Sequence, residues 1–95
     1  MVDVDWDIVS FVTSSTIRFK VLIELNKAKL TPSNLAEKLH YPISHISSTL
    51  TALQEKELVE CLTKRRRKNK FFTITEKGKK TLNFINKETN VTFEE

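Results

Sequence analysis

The stretch TPSNLAEKLHYPISHISSTLTALQEKE, residues 31–57, decides how the rest of the chain is read. Thr31 has the side chain of a helix N-cap, and Pro32 suits the first helical position, where its missing N–H is not needed. Leu35, Ala36 and Leu39 then line the inner side of a helix about two turns long. His40 or Tyr41 must end it, because the residue before Pro42 is pushed out of helical angles. A further helix is predicted over about 43–56, in which Ile46, Leu50 and Leu53 recur at i, i+4 and i+7 as a buried stripe. The turn between the two helices is only about three residues long. Helices joined so closely cross at a steep angle, which makes a helix-turn-helix.

Upstream, DWDIVSFV (5–12) reads as a short helix that Asp5 caps and whose positive end Asp7 favours. The next helix is predicted from an N-cap at Ser15 to about Asn26. Ile17, Val21 and Leu25 share one of its faces, and Phe19 and Ile23 lie nearly opposite. A helix apolar all round is covered on both sides. In a chain of 95 residues the second cover is another helix of the same chain or a second subunit.

Downstream of Glu57 the period changes from helical to alternating. In LVECLT, Val59 and Cys61 point one way and Glu60 the other; in KFFTIT, Phe72 and Ile74 oppose Thr73. KRRRKNK (64–70) stands between these runs, so it is the connection of a β-hairpin, with Asn69 suited to a turn of positive φ. Thr75 then caps a last helix, EKGKKTLNFINKE, with Leu82 and Ile85 facing inward. Gly78 is expected to allow close packing of that helix. The length holds one domain, 1–95, with its core at about 15–82, a helical segment over 1–14, and the end of the last helix with a polar tail over 83–95.

The net charge is +4, but its placement says more. Residues 64–80 hold nine Lys or Arg against one acid, Glu76, so that segment carries +8 and the remainder −4. Charge segregated in this way is the electrostatic footprint of a nucleic-acid binder. Acidic lipid, an acidic protein, a plain solvated charge run and a nuclear-import-like cluster are the competing readings of the basic run. Against the solvated run, a loop of self-repelling charge weakens a small domain unless a partner compensates it.

TPSNLAEKL, ISHISSTLTALQEKELVE and FFTITEKGKK resemble the corresponding stretches of winged-helix transcription regulators of the MarR, ArsR and PadR type, in this order and spacing and over roughly residues 15–82. The resemblance implies a mainly α fold with a small β-hairpin wing, a winged helix-turn-helix of order α-α-α-α-β-β-α. It also implies that the second helix of the motif enters the major groove of DNA while the wing touches the backbone or minor groove. Most members are homodimers. The family commonly has glycine in the turn before that helix and at its end; this chain has His40-Tyr41-Pro42 and Glu57 there.

With Ile46, Leu50 and Leu53 inward, the outward face of the 43–56 helix offers Ser44, His45, Ser47, Ser48 and Thr51, with Glu55 and Ala52 beside them. Hydroxyls bond to several base edges and discriminate poorly, so His45 is the expected contact with real choice. The wing contributes Lys64, Arg65, Arg66, Arg67, Lys68 and Lys70, which alternate in direction, so about half can reach DNA at once. Arginine there also suits a narrow A·T minor groove. Ser33 and Asn34 start the first helix of the motif, where free N–H groups hold a phosphate oxygen or simply cap the helix. Lys77, Lys79 and Lys80 extend the basic surface.

Other residues carry less. His40 and His45 have no acid or thiol partner that would make a metal site, and no cofactor is expected. Cys61 reads as a small core residue, and the single thiol excludes an internal disulfide. Trp6 is expected to anchor the first helix in the core or in a dimer seam. No nucleophile with a base is apparent, so an enzyme is not expected. No segment reads as a membrane span or signal peptide, which points to a cytoplasmic protein without membrane association.

The sequence thus predicts a sequence-preferring regulator of double-stranded DNA. Beside it stands a winged-helix RNA-binding or protein-interaction module. A homodimer is expected from the doubly apolar helix at 17–25, from the added N-terminal segment, and from Phe84 and Phe93. No small-molecule effector can be named from the sequence.

Overall fold

The computed structural model describes residues 5–63 and 70–89, and side chains of these up to Asn86. Among them the order is α1 (Trp6–Thr13), α2 (Thr16–Lys27), α3 (Pro32–Leu39), α4 (Ile43–Glu55), β1 (Val59–Cys61), β2 (Phe72–Ile74) and α5 (Glu76–Thr89). The mainly helical class and the element order agree with the sequence reading. No helix among the described residues is long and apolar enough to cross a membrane.

Local chemistry sets most of the boundaries. Asp5 caps α1 by accepting from the Asp7 N–H at 2.9 Å. Ser15 occupies the N-cap of α2, but its side chain makes no capping bond. Thr31 begins α3 with a full capping box. Its Oγ1 accepts from the Asn34 N–H at 3.1 Å, and the Asn34 Oδ1 accepts from the Thr31 N–H at 3.3 Å. Asn34 here does what glutamate or glutamine usually does at that position.

The two ends of the helix-turn-helix share one solution. His40 (φ 62°) follows α3 and Glu57 (φ 63°) follows α4, both in the left-handed region. After α4, the Leu58 N–H donates to the Leu53 carbonyl at 3.0 Å and the Glu57 N–H to the Gln54 carbonyl at 2.9 Å. That is a Schellman ending, closed by contact between the apolar residues at its two ends, here the fully buried Leu53 and Leu58. After α3, the Tyr41 N–H reaches back to the Ala36 carbonyl at 3.1 Å in the same way. These are the two places where the sequences it resembles commonly carry glycine. The backbone adopts the glycine conformation without the glycine, at a cost of roughly 1–2 kcal/mol per residue.

The interior is one apolar cluster. Val12, Val21, Leu22, Leu35, Ile46, Leu53 and Leu58 are fully buried, and Leu82 and Ile85 of α5 close it from below. Burial of each such side chain stabilises by roughly 1.5–3 kcal/mol. In α2, Ile17, Val21, Leu22 and Leu25 are buried, while Phe19 and Ile23 pack half-buried against the same cluster. The second face of α2 is therefore partly covered by its own chain. Glu24, 8 % exposed, lies 3.6 Å from Lys27 and 3.7 Å from Lys38, which ties α3 to α2.

Of the two places expected for Trp6, the structure excludes the core. Trp6 is 68 % exposed, with its ring edge-on to Phe84 of α5 at 5.1 Å. The inward side of α1 is taken by Ile8 and Val12. Trp6 precedes Ile8 by two residues, just over half a helical turn, so it projects from the opposite side.

The hairpin pairs Val59 with Ile74, Glu60 with Thr73 and Cys61 with Phe72. Val59, Cys61, Phe72 and Ile74 are buried and Glu60 is exposed, as the alternation requires; Cys61 is a core residue. A feature absent from the sequence reading adds a third segment. Leu30 and Phe72 exchange both backbone hydrogen bonds, at 3.1 and 2.8 Å. Thr75 accepts from the Gly78 N–H at 3.1 Å and donates to the Glu57 carbonyl at 2.7 Å, so the cap of α5 also holds the end of α4.

Gly78 sits where the two meet. A Cβ there would strike the Leu58 carbonyl oxygen and lie 2.6 Å from Ile74 Cγ1. Glycine to alanine in an open helix stabilises by about 1 kcal/mol. Here overpacking against backbone outweighs that gain. Gly78→Ala is expected to destabilise by about 1–2 kcal/mol, read as a fall in Tm of roughly 4–8 °C for each kcal/mol; a rise would mean the approach is not close.

Candidate nucleic-acid interface

Among the described residues, nothing covers the face of α4 that turns away from Ile46, Leu50 and Leu53. Ser44, His45, Ser47, Ser48 and Thr51 are all exposed. Two of its threonines bond to the helix itself: Thr49 Oγ1 donates to the His45 carbonyl at 2.8 Å and Thr51 Oγ1 to the Ser47 carbonyl at 3.0 Å. Thr49 is buried, whereas Thr51 is exposed. With its proton engaged, Thr51 presents outward only lone pairs and a methyl group.

Along one flank of α4 runs an open cleft of about 580 Å³. Thr31, Pro32 and Ser33 at the start of α3 form one wall, Lys70 and Phe72 at the root of the hairpin form another, and α4 supplies Ile43, Ser47, Leu50, Thr51 and Gln54. The structure thus brings Ser33, Ser47, Thr51 and Lys70 together. Ser44, His45 and Ser48 lie on α4 outside the cleft lining. The His45 ring stands edge-on to Tyr41 of the preceding turn at 5.7 Å. Lys64, Arg65, Arg66, Arg67 and Lys68, and the turn at Asn69, lie outside the described residues.

Asn34 takes the other of its two expected roles. Its N–H and its side-chain oxygen are both engaged in the capping box, so local capping is what the structure shows for it. Ser33, next to it, is exposed on the cleft wall.

Two cleft residues were missed from the sequence. Ile43, 51 % exposed, opens α4, and Gln54 lies near its other end. Gln54 was legible on the helical wheel, since it follows Ser47 by seven residues and shares its side. Ile43 was harder, because it precedes Ile46 by three and Leu50 by seven, the spacing of the buried stripe. Among the described residues, no group of three or more His, Cys, Asp or Glu is placed to hold a metal ion.

At the far side, the Arg18 guanidinium lies 4.0 Å from the Phe11 ring centroid and donates to the Phe11 carbonyl at 2.8 Å. Lys56 Nζ, just past the end of α4, lies 5.6 Å from the same ring. Cations over an aromatic face attract it by about 0.5–1 kcal/mol at exposed sites. The end of α1 is therefore fastened to α2 and to the last turn of α4.

A helix-turn-helix followed by a hairpin and closed by a final helix is the winged-helix architecture. Solved structures share it. A ZitR variant from Lactococcus lactis matches with a TM-score of 0.70 at 21 % identity, over 80 % of this chain and 53 % of that one. Reduced HlyU from Vibrio cholerae matches with a TM-score of 0.70 at 19 % identity, over 86 % of each chain. Streptococcus pneumoniae FabT, in complex with DNA, matches with a TM-score of 0.68 at 19 % identity, over 80 % of this chain and 55 % of that one. The chain spans about half the length of ZitR and FabT. No curated protein sequence matches it.

The family is set by sequence. Residues 6–86 match the model of the N-terminal domain of the methanogenesis regulatory protein FilR1, and the chain belongs to that family.

The capping box separates two neighbouring hydroxyls by role. Thr31→Ala is expected to cost about 1–2 kcal/mol in urea unfolding. Ser33→Ala, on the exposed wall, should stay within about 0.5 kcal/mol of the parent. Equal losses would contradict this division.

Proposed function

We propose that the chain binds double-stranded DNA as a sequence-preferring transcription regulator of the MarR, ArsR and PadR kind. In this reading α4 enters the major groove and the basic segment 64–70 lies on the backbone or minor groove. The observation that carries it is the cleft, in which the uncovered side of α4, the start of α3 and Lys70 at the wing root meet on one side of the body. A duplex presents phosphates on both sides of a groove, so a helix flanked by a donor-bearing helix start and a cationic hairpin suits it. The family to which the chain belongs is that of a regulatory protein's N-terminal domain, which supports the same reading. Ser44, His45, Ser47, Ser48 and Thr51 supply contacts in the groove. Lys64, Arg65, Arg66, Arg67, Lys68 and Lys70 supply phosphate neutralisation, with Ser33 at the start of α3.

The proposal includes a homodimer. Its support is Trp6 of α1, which is exposed and stands edge-on to the half-buried Phe84 of α5. A two-fold dimer would favour a pseudo-palindromic site with half-sites about one helical turn apart.

The test begins with duplexes enriched from the source genome. If the dimer engages roughly six to eight phosphates, log K against log salt has a slope of about −5 to −7. Replacing Arg65, Arg66 and Arg67 together by Ala should flatten the slope and weaken all sequences alike, whereas His45→Ala should change preference and leave the slope nearly intact. An unchanged slope in the triple variant removes the wing from the proposal, and preferential displacement of DNA by structured RNA would favour the RNA reading. For the dimer, sedimentation at micromolar concentration is expected to show two copies associated. Trp6→Ala should shift the balance to monomer with the helical content unchanged.

A further inference from the structure

Resting on the DNA reading, we infer that Ile43 reads a thymine C5-methyl group in the major groove and sets a preference for thymine at one position of each half-site.

Ile43 is the first residue of α4 and is 51 % exposed, while Ile46, Leu50 and Leu53 of the same helix are buried. Isolated apolar residues are common on protein surfaces and by themselves mean little. The place of this one is what distinguishes it. No local role asks for isoleucine here: Pro42 is the N-cap, and no side-chain capping bond is made. A β-branched residue also has lower helix propensity than alanine or a straight chain. Yet this side chain lies in the cleft beside Pro32 and Ser47, on the helix edge shared with Thr51.

In helix-turn-helix proteins the N-terminal residues of the groove helix are the ones that meet base edges. What they meet there is mostly polar. Thymine is the exception, because its C5-methyl is the apolar group displayed in the major groove. An isoleucine is stiff at χ1, so it loses little rotamer freedom when it packs against such a methyl. The hydroxyl side chains around it pair with several bases. An apolar contact here would therefore contribute choice where they supply little.

The experiment uses the full chain and a duplex enriched from a random pool by the protein itself. Each thymine is replaced singly by deoxyuridine, which deletes the methyl and keeps every hydrogen-bonding edge. At one position per half-site the replacement should weaken binding about four-fold, the effect of one buried methyl-sized group. Ile43→Ala alters both protomers of the proposed dimer, so it should weaken binding to the thymine duplex by about four-fold for each half-site and lose the distinction between thymine and uracil at that position. This is a double-mutant cycle across the contact. Ile43→Val should keep part of it. The fold should survive both, since the site is exposed and alanine favours a helix. Uracil tolerated at every position, or a full thymine preference retained by Ile43→Ala, overturns the inference while leaving duplex binding intact. A wild-type chain that enriches no duplex and binds none removes the DNA reading itself, and this inference falls with it.

Discussion

The surface described above depends on one reciprocal pair of backbone hydrogen bonds, between Leu30 and Phe72. Leu30 directly precedes the N-cap of α3, and Phe72 opens β2, two residues beyond Lys70. Backbone N–H and C=O groups near an apolar interior must be paired, and these two residues satisfy each other. Because the pair is made, the root of the hairpin cannot drift from the helix-turn-helix. Lys70, Ser33 and the open side of α4 are thereby held around one cleft. A two-stranded hairpin alone is marginally stable, and the bridge to Leu30 gives it a further backbone partner.

The presentation of α4 depends on both of its ends. Its start follows a turn in which His40 is left-handed, and its end passes through Glu57 in the same conformation. Neither residue relaxes the strain as glycine would. The compensation is visible in each case: backbone bonds back into the preceding helix, and an apolar residue directly after, Tyr41 packed against the core and Leu58 buried within it. Thr75 then bonds to the Glu57 carbonyl while capping α5. The helix offered to the outside is thus braced at its beginning by α3 and at its end by both the hairpin and α5.

A second brace reaches α4 from the N-terminal side. Phe11 lies between Arg18 of α2 and Lys56 at the end of α4, and the same α1 carries Trp6 against Phe84.

The sequence by itself determined the elements and their insides. Thr31-Pro32, Pro42, the Ile46–Leu50–Leu53 stripe and the alternation at Val59–Cys61 and Phe72–Ile74 are local signals, and each acts within a few residues of itself. Helix boundaries, the alternation of the two strands and the apolar stripes of the helices were legible for that reason, as was the uncovered hydroxyl face of α4. Tertiary structure decided which surface residues become neighbours. The Leu30–Phe72 pairing joins segments far apart in sequence through main-chain groups that every residue type possesses, so no side chain announces it. Trp6 left the core because Ile8 and Val12 already filled the inward side of α1. Ile43 left the apolar stripe because the helix begins where the core ends. Spacing along a chain says which side of a helix a residue is on. Only packing says what lies across from it.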